Sequence, residues 1–171
     1  MYLTRIVDRK VSRGRTFVVT DGTKIIPSRI TIIEPSPFDR ATCYLCATRY
    51  QSDDNKPYLY KTTDYGKSWT KIVAGIPGDD FARAIREDPR RRGLLFLGTE
   101  TSVYVSFDDG ANWQSLRLEL PVTPVHGVQV RHDDLVIGTH GRSFYVLDNI
   151  SVLRQISAAT TTEPVVLFDP A

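Results

Sequence analysis

The sequence predicts an all-β fold made of repeated modules, and three observations carry that prediction. An eight-residue pattern occurs twice, as Thr62-Thr63-Asp64-Tyr65-Gly66-Lys67-Ser68-Trp69 and as Ser106-Phe107-Asp108-Asp109-Gly110-Ala111-Asn112-Trp113. Asp64 and Asp108 stand 44 positions apart, as do Trp69 and Trp113, so the repeated unit is a whole structural module. Between and after the copies lie Tyr58-Leu59-Tyr60, Leu94-Leu95-Phe96-Leu97, Val103-Tyr104-Val105 and Phe144-Tyr145-Val146-Leu147. These short aliphatic and aromatic runs, bounded by Gly, Pro, Asp or Asn, read as strands. A period in this range also admits helical repeats, but no helix of ordinary length fits between such runs. Four-stranded antiparallel modules of this period are the blades of a β-propeller.

The elements follow in order. At the N-terminus, Thr16-Phe17-Val18-Val19 and Lys24-Ile25-Ile26 flank Thr20-Asp21-Gly22-Thr23, a hairpin with an Asp-Gly turn, so residues 1–26 form one unit. Residues 27–160 hold the blades. The first runs from Pro27 to Pro77, with strands near 28–34, 43–48, 57–62 and 69–73. The second covers 78–121, with strands near 81–87, 94–99, 102–106 and 113–116. A third begins near Val122, with strands near 125–131, 134–139 and 143–148. Where it should carry its own copy of the eight-residue pattern, Asn149 to Ile156 reads as a short helix or turn, so this blade is capped or borrows its outer strand. In the last unit, residues 161–171, Val165-Val166-Leu167-Phe168 is a C-terminal strand or tail.

About three to four blades sit at or below the usual lower limit of roughly four for a closed ring. Either the N- and C-terminal strands combine into a fourth blade and latch the ring, or the open edges pair two copies. A twofold homodimer of this kind makes a ring of about six to eight blades.

Composition bounds the partners. The 171 residues are 41% hydrophobic and 25% charged with a net charge of +2, an ordinary globular balance that gives no reason to expect nucleic acid as a partner. The densest basic run, Arg90-Arg91-Arg92, follows Asp88-Pro89 and reads as a solvated turn. Met1 to Lys10 lacks a secretory apolar core, and no segment reaches the roughly 18 apolar residues of a membrane span, so a cytoplasmic, membrane-free protein is expected.

Cys43-Tyr44-Leu45-Cys46 has the spacing of a redox pair or of half a zinc site. In a strand, however, residues three apart point to opposite faces, and His126 with His132 lies in a different blade. The thiols are expected to be free, with no metal and no cofactor.

The eight-residue pattern resembles the Asp-box, or bacterial neuraminidase repeat, Ser/Thr-x-Asp-x-Gly-x-x-Trp. The Asp carboxylate accepts backbone N–H groups in a tight turn, the Gly supplies a positive φ, the hydroxyl closes the turn, and the Trp packs beneath it. In the families it resembles, the box joins the third and fourth strands of each blade on the outer rim. Thr62, Asp64, Gly66 and Trp69, with Ser106, Asp108, Gly110 and Trp113, are therefore assigned to architecture.

From Pro27 onward the resemblance is closer. Pro57 to Trp69, Ala84-Ile85-Arg86-Glu87-Asp88-Pro89, Leu95 to Glu100 and Asp134 to Ser143 are similar to the last blades of large bacterial sortilin-like proteins, often labelled glycosyl hydrolases. The likeness spans about residues 27–157, and it implies that this chain is a truncated relative of a longer propeller protein whose family includes exported members.

Function in such folds lies on the channel face, built by the loops from second to third strands and by the interblade links. Those loops carry Arg49, Tyr50, Asp53 and Asp54 in the first blade, Glu100 in the second, and His140 with Arg142 in the third; a link carries His126. Thr48 and Thr99 are 51 positions apart, so the first of these loops holds seven additional residues, either a solvated excursion or a specificity loop. Glu100 and His140 each follow a Gly-Thr pair, and could act as acid and base, bind a cation or sugar, or close a tight turn. Arg29, Arg83 and Arg142 with Tyr50 have the residue types of a sialidase site, but no local signature fixes them in those roles. The sequence is read as a non-catalytic module binding protein, peptide or glycan. The alternatives are a sialidase-like glycoside hydrolase and a fragment with no independent activity.

Overall fold

The computed structural model describes residues 9–10, 15–20, 25–157 and 165–169. Its strands form three antiparallel sheets. The first contains β1 (Arg9–Lys10), β2 (Arg15–Thr20), β3 (Ile25–Pro35), β4 (Cys43–Arg49), β5 (Asp54–Thr62) and β6 (Thr70–Lys71). The second contains β7 (Ala82–Glu87), β8 (Leu95–Thr99), β9 (Val103–Ser106) and β10 (Gln114–Ser115). The third holds only β11 (Val125–Arg131), β12 (Asp134–Thr139) and β13 (Phe144–Leu147), followed by α1 (Ser151–Gln155). These are three consecutive propeller blades, a partial propeller, with the blade strands close to the positions expected from aligning the repeated modules.

The ends differ from expectation. β2 pairs with β3, Thr20 opposite Ile25, and β3 continues unbroken into the first blade, while the expected Asp-Gly turn lies outside the described residues. Among the described residues no ladder joins the N-terminal strands to the third blade, so the latch blade expected from the two ends is not formed there. Nor does the Val165 to Phe168 run pair as a strand. Val165 and Leu167 stay exposed, while Asp169 exchanges hydrogen bonds with the Gln155 side chain.

β8 shows why the blades stack. Its five residues are all buried, and alternation sends Leu95 and Leu97 into the core shared with the first blade, whereas Phe96, with Leu94 just before the strand, enters the core shared with the third. A strand with apolar groups on both faces requires a neighbour on each side. Cys46 points into the first of these cores and is fully buried; Cys43 is half-buried, both thiols are free, and burial pushes both up from the ordinary thiol range.

The two eight-residue turns repeat bond for bond. Thr62 donates its hydroxyl to Asp64 Oδ1 (2.8 Å) and accepts the Gly66 N–H (3.0 Å); Ser106 does the same with Asp108 (2.8 Å) and Gly110 (2.9 Å). Asp64 accepts the Ser68 N–H and hydroxyl, and Asp108 accepts both N–H types of Asn112. Tyr65–Gly66 and Asp109–Gly110 occupy the left-handed region, at φ 61° and 80° and at 63° and 88°. The Ser68 bonds hold Asp64 down at about 2, while at Asp108 burial, which raises the pKa, is outweighed by the Asn112 and Ser106 bonds that lower it.

The tryptophans diverge. Trp69 donates Nε1–H to Gly66 O of its own turn (3.1 Å), whereas Trp113, 4% exposed, reaches the first blade. Trp113 Nε1–H donates to Ile72 O (2.9 Å) and its backbone N–H to Ala74 O (2.8 Å). Approach is so close that a Cβ on Gly75 would fall 2.2 Å from Trp113 O. Asp109 adds to this seam by accepting the Tyr44 hydroxyl (2.6 Å) and pairing with Lys61.

Two buried ion pairs finish the assembly. Arg86 on β7 donates to both Glu34 oxygens (2.8 and 2.6 Å) in the first blade, and its Nε–H to Val128 O in the third (3.4 Å). Fully buried Asp88 accepts the N–H groups of Arg90 and Arg91 and the guanidinium of Arg154 from α1. The basic run is thus not simply a solvated turn: Arg90 pairs with Asp133 and Arg91 donates to Leu153 O, fixing α1 against the second and third blades.

Truncating the buried indole should cost more than truncating the half-exposed one. Trp113→Ala is expected to lose about 3 to 5 kcal/mol in urea unfolding and Trp69→Ala distinctly less. A depressed carboxylate gives stability that is present above its unfolded pKa and lost as pH falls through the folded one. Asp64 should therefore contribute a decline between about pH 4 and pH 2. Thermal midpoints of Asp64→Asn should be lower than wild type at pH 6 and converge with it near pH 2.

Candidate functional site

The first strand of each blade, β3, β7 and β11, builds the site. Each carries a β-bulge near its entry to the blade: between Ile30 and Ile32 in β3, between Ala82 and Ala84 in β7, and between Val125 and Gly127 in β11. The extra residue of a bulge leaves the ladder and is re-aimed. Thr31, Arg83 and His126 are those residues, and all three line one cavity of about 290 Å³ with Arg29, Ile30, Thr48 and Tyr50. β8 lets the third blade close on this region because Gly98 has no side chain; a Cβ there would meet Val125 at 2.5 Å.

The hairpins above the cavity obey one backbone rule. Glu100 N–H donates to Phe81 O (3.1 Å) and His140 N–H to Pro124 O (2.8 Å), so these residues are structurally equivalent, as their Gly-Thr contexts predict. The preceding threonines close each hairpin: Thr99 donates to Asp80 (2.8 Å), and Thr139 donates to Ser143 O (2.7 Å). Asp80 is saturated by Thr99, Thr101 and Tyr104, an architectural role. Thr48 holds the same place in the first blade, but the longer loop carries the chain away. Its Oγ1 is buried with no hydrogen-bond partner among the described residues.

That loop spends two of its candidate residues on itself. Arg49 pairs with Asp54 (2.6 Å), which also accepts the Tyr58 hydroxyl (2.7 Å), while Asp53 at φ 53° ends the short 3₁₀ turn over Tyr50–Ser52 and faces solvent. Tyr50 alone reaches the cavity, stacking on Phe81 with centroids 5.2 Å apart. The Arg83 guanidinium lies over both rings, 4.8 Å from Phe81 and 5.7 Å from Tyr50, and both its Nε and Nη2 reach Glu100 Oε2.

His126 and His140 stack at 5.1 Å. Burial, the Arg83 charge and His140 hold the His126 imidazole below its ordinary range, with Glu100 opposing. Arg142, in an exposed turn after Gly141, is outside the cavity. Of the eight sequence candidates, Tyr50 and His126 line the cavity, Glu100 and His140 contact its lining through Arg83 and His126, and Arg49, Asp53, Asp54 and Arg142 do not line it.

Sequence reasoning missed Thr31, Thr48 and Phe81. Thr48 had a usable signal, since it aligns with Thr99 and Thr139 where only the hairpin length differs. Arg29 has no ion-pair partner among the described residues, and Arg83 is half neutralised, so the cavity combines cationic donors, an unsatisfied hydroxyl and an aromatic wall. Such a set has the chemistry to hold an anionic or hydroxyl-bearing group.

A scan of protein-family models finds none that matches, and a search of curated proteins finds no significant match. Solved structures do match. The chain is similar to an ancestral GH74 enzyme (14% identity, TM-score 0.54), to the GH74 enzyme of Niastella koreensis (17%, 0.53) and to the GH74 xyloglucanase of Xanthomonas campestris (16%, 0.54). These alignments cover 66%, 70% and 70% of this chain but 14%, 21% and 22% of those proteins, so it spans less than a quarter of each. At this identity the likeness establishes the propeller fold.

In an NMR titration His126 should show a midpoint below about 6.5, the ordinary value. Arg83→Met, which removes the neighbouring guanidinium charge, should move that midpoint upward; an unchanged midpoint would contradict the geometry.

Proposed function

We propose that this chain is a non-catalytic, ligand-binding module of Asp-box propeller type, related to larger sortilin-like propellers, and that it binds at the channel-face cavity. The observation that carries this reading is the unpartnered, buried Thr48 hydroxyl beside Arg29. Leaving a buried hydroxyl unsatisfied costs about 1 to 3 kcal/mol, which a ligand oxygen accepting that proton would recover. The favoured ligand is a protein, peptide or glycan presenting an acidic group: Arg29 and Thr48 would hold the carboxylate while its apolar part rests on Tyr50. The Asp-box assignment is supported by the hydroxyl–Asp–Gly bonds, which recur in both turns.

The hydrolase reading keeps one supporting observation, the presence of Tyr50 with Arg29 and Arg83 in one cavity. Against it, the carboxylate in reach, Glu100, is engaged by Arg83. Turnover of aryl glycosides that Tyr50→Phe abolishes would overturn the non-catalytic reading.

For binding, amide NMR titrations with N-acetylneuraminic acid and with a glutamate-rich peptide should shift Thr48, Tyr50 and Arg83. Arg29→Ala and Thr48→Val should each weaken the interaction about tenfold, the effect of roughly 1.4 kcal/mol. No shift at those residues with either ligand would sink the proposal.

A further inference from the structure

The outer edge of the third blade carries a second site, independent of the cavity. Among the described residues no strand pairs with the outer side of β13, which leaves an open sheet edge. Beside it runs an apolar groove of about 590 Å³ whose walls include Leu116, Leu120, Ile137, Tyr145 and Leu147. The groove continues the core between the second and third blades, to which Leu120 and Ile137 belong and against which Leu116, Tyr145 and Leu147 pack.

The internal repeat shows what such a groove holds. Leu116 and Leu120 lie 44 positions after Ile72 and Ile76, and the backbone repeats with them. Ile72 N–H bonds Leu59 O and Leu116 N–H bonds Val103 O; Ile76 N–H bonds Val73 O and Leu120 N–H bonds Arg117 O. At the first–second seam, Ile72 and Ile76 share a buried core with Trp113, which donates its indole N–H to Ile72 O. At the second–third seam the position 44 residues after Trp113 is Ser157, and α1 replaces the turn that would deliver an outer strand.

We propose that this groove is a docking site for an extended segment of a partner protein, which adds to the edge of β13 and inserts a tryptophan between Leu116, Leu120 and Tyr145. The backbone edge would supply main-chain hydrogen bonds and the indole slot would supply side-chain selectivity, the two parts of strand-addition recognition. A second copy of this chain is the weaker candidate. Its Trp113 is buried in its own seam, its Trp69 is tied to its own turn, and its exposed Val165 to Phe168 run has no tryptophan.

The test uses a labelled peptide copying residues 108–118 of this chain, which carries Trp113, titrated into the intact protein by fluorescence anisotropy. Saturable binding is expected. Replacing the peptide's tryptophan by alanine, or making Leu116→Glu in the protein, should weaken it about 30-fold or more, the loss of a buried aromatic anchor. Ile33→Ser, which alters an exposed position of β3 in the first blade, away from the groove and from β13, should leave it unchanged and serves as the folding control. Absence of saturable binding, or equal binding by the alanine peptide, overturns the proposal. So does a dimer in light scattering that disappears when residues 165–168 are replaced by serines and that the peptide fails to dissociate.

Discussion

The seam between the first two blades depends on one close backbone approach. Trp113 presses its main chain onto Gly75 and its indole N–H onto Ile72 O, so two sheets that share no ladder are locked by hydrogen bonds as well as by apolar packing. Asp109 reinforces the lock electrostatically through Tyr44 and Lys61. A purely greasy interface would let the blades slide. These directional bonds fix the height of one blade against the next, and that height brings the three bulges into one cavity.

Polar groups buried at the blade interfaces serve a similar end. Arg86 spans all three blades, from Glu34 to Val128, and Asp88 collects two backbone amides and Arg154. Buried pairs of this kind add little net stability over apolar replacements, because desolvation offsets most of the attraction. Removing one partner is costly, which makes them effective at excluding misaligned packings. The Asp88 cluster further explains how the third blade ends without an outer strand, since α1 is held there by charge and by the buried Ile150.

Much of this was legible in the sequence because the repeat is written at fixed intervals. The approximate strand positions follow from aligning the repeats, and the equivalence of Glu100 with His140 from the Gly-Thr pair that each follows. The site was legible only in part. Arg49 and Asp54 have the composition of a binding loop, yet they neutralise each other, and no local pattern distinguishes a loop that pins itself from one that offers charge. The bulges were invisible for a different reason: a bulge is a property of paired strands, and the sequence of one strand does not announce its partner's register. The ends of the chain escaped because Val165 to Phe168 has strand propensity without a described strand to pair with, and propensity yields to context.

The three bulges suggest why this scaffold separates stability from recognition. Thr31, Arg83 and His126 occupy the same kind of position, outside the ladder, so their identity is nearly free of the constraints that fix Gly98 or Trp113. The backbone repeats while the chemistry does not: a hydroxyl, a guanidinium and an imidazole face one cavity from three similar strands. The same freedom applies one layer out, where an ion pair between Arg83 and Glu100 and a stack of His126 on His140 fill equivalent places in adjacent blades. Substitution at these positions can retune the cavity, whereas Trp113 and Asp109 belong to the seam itself.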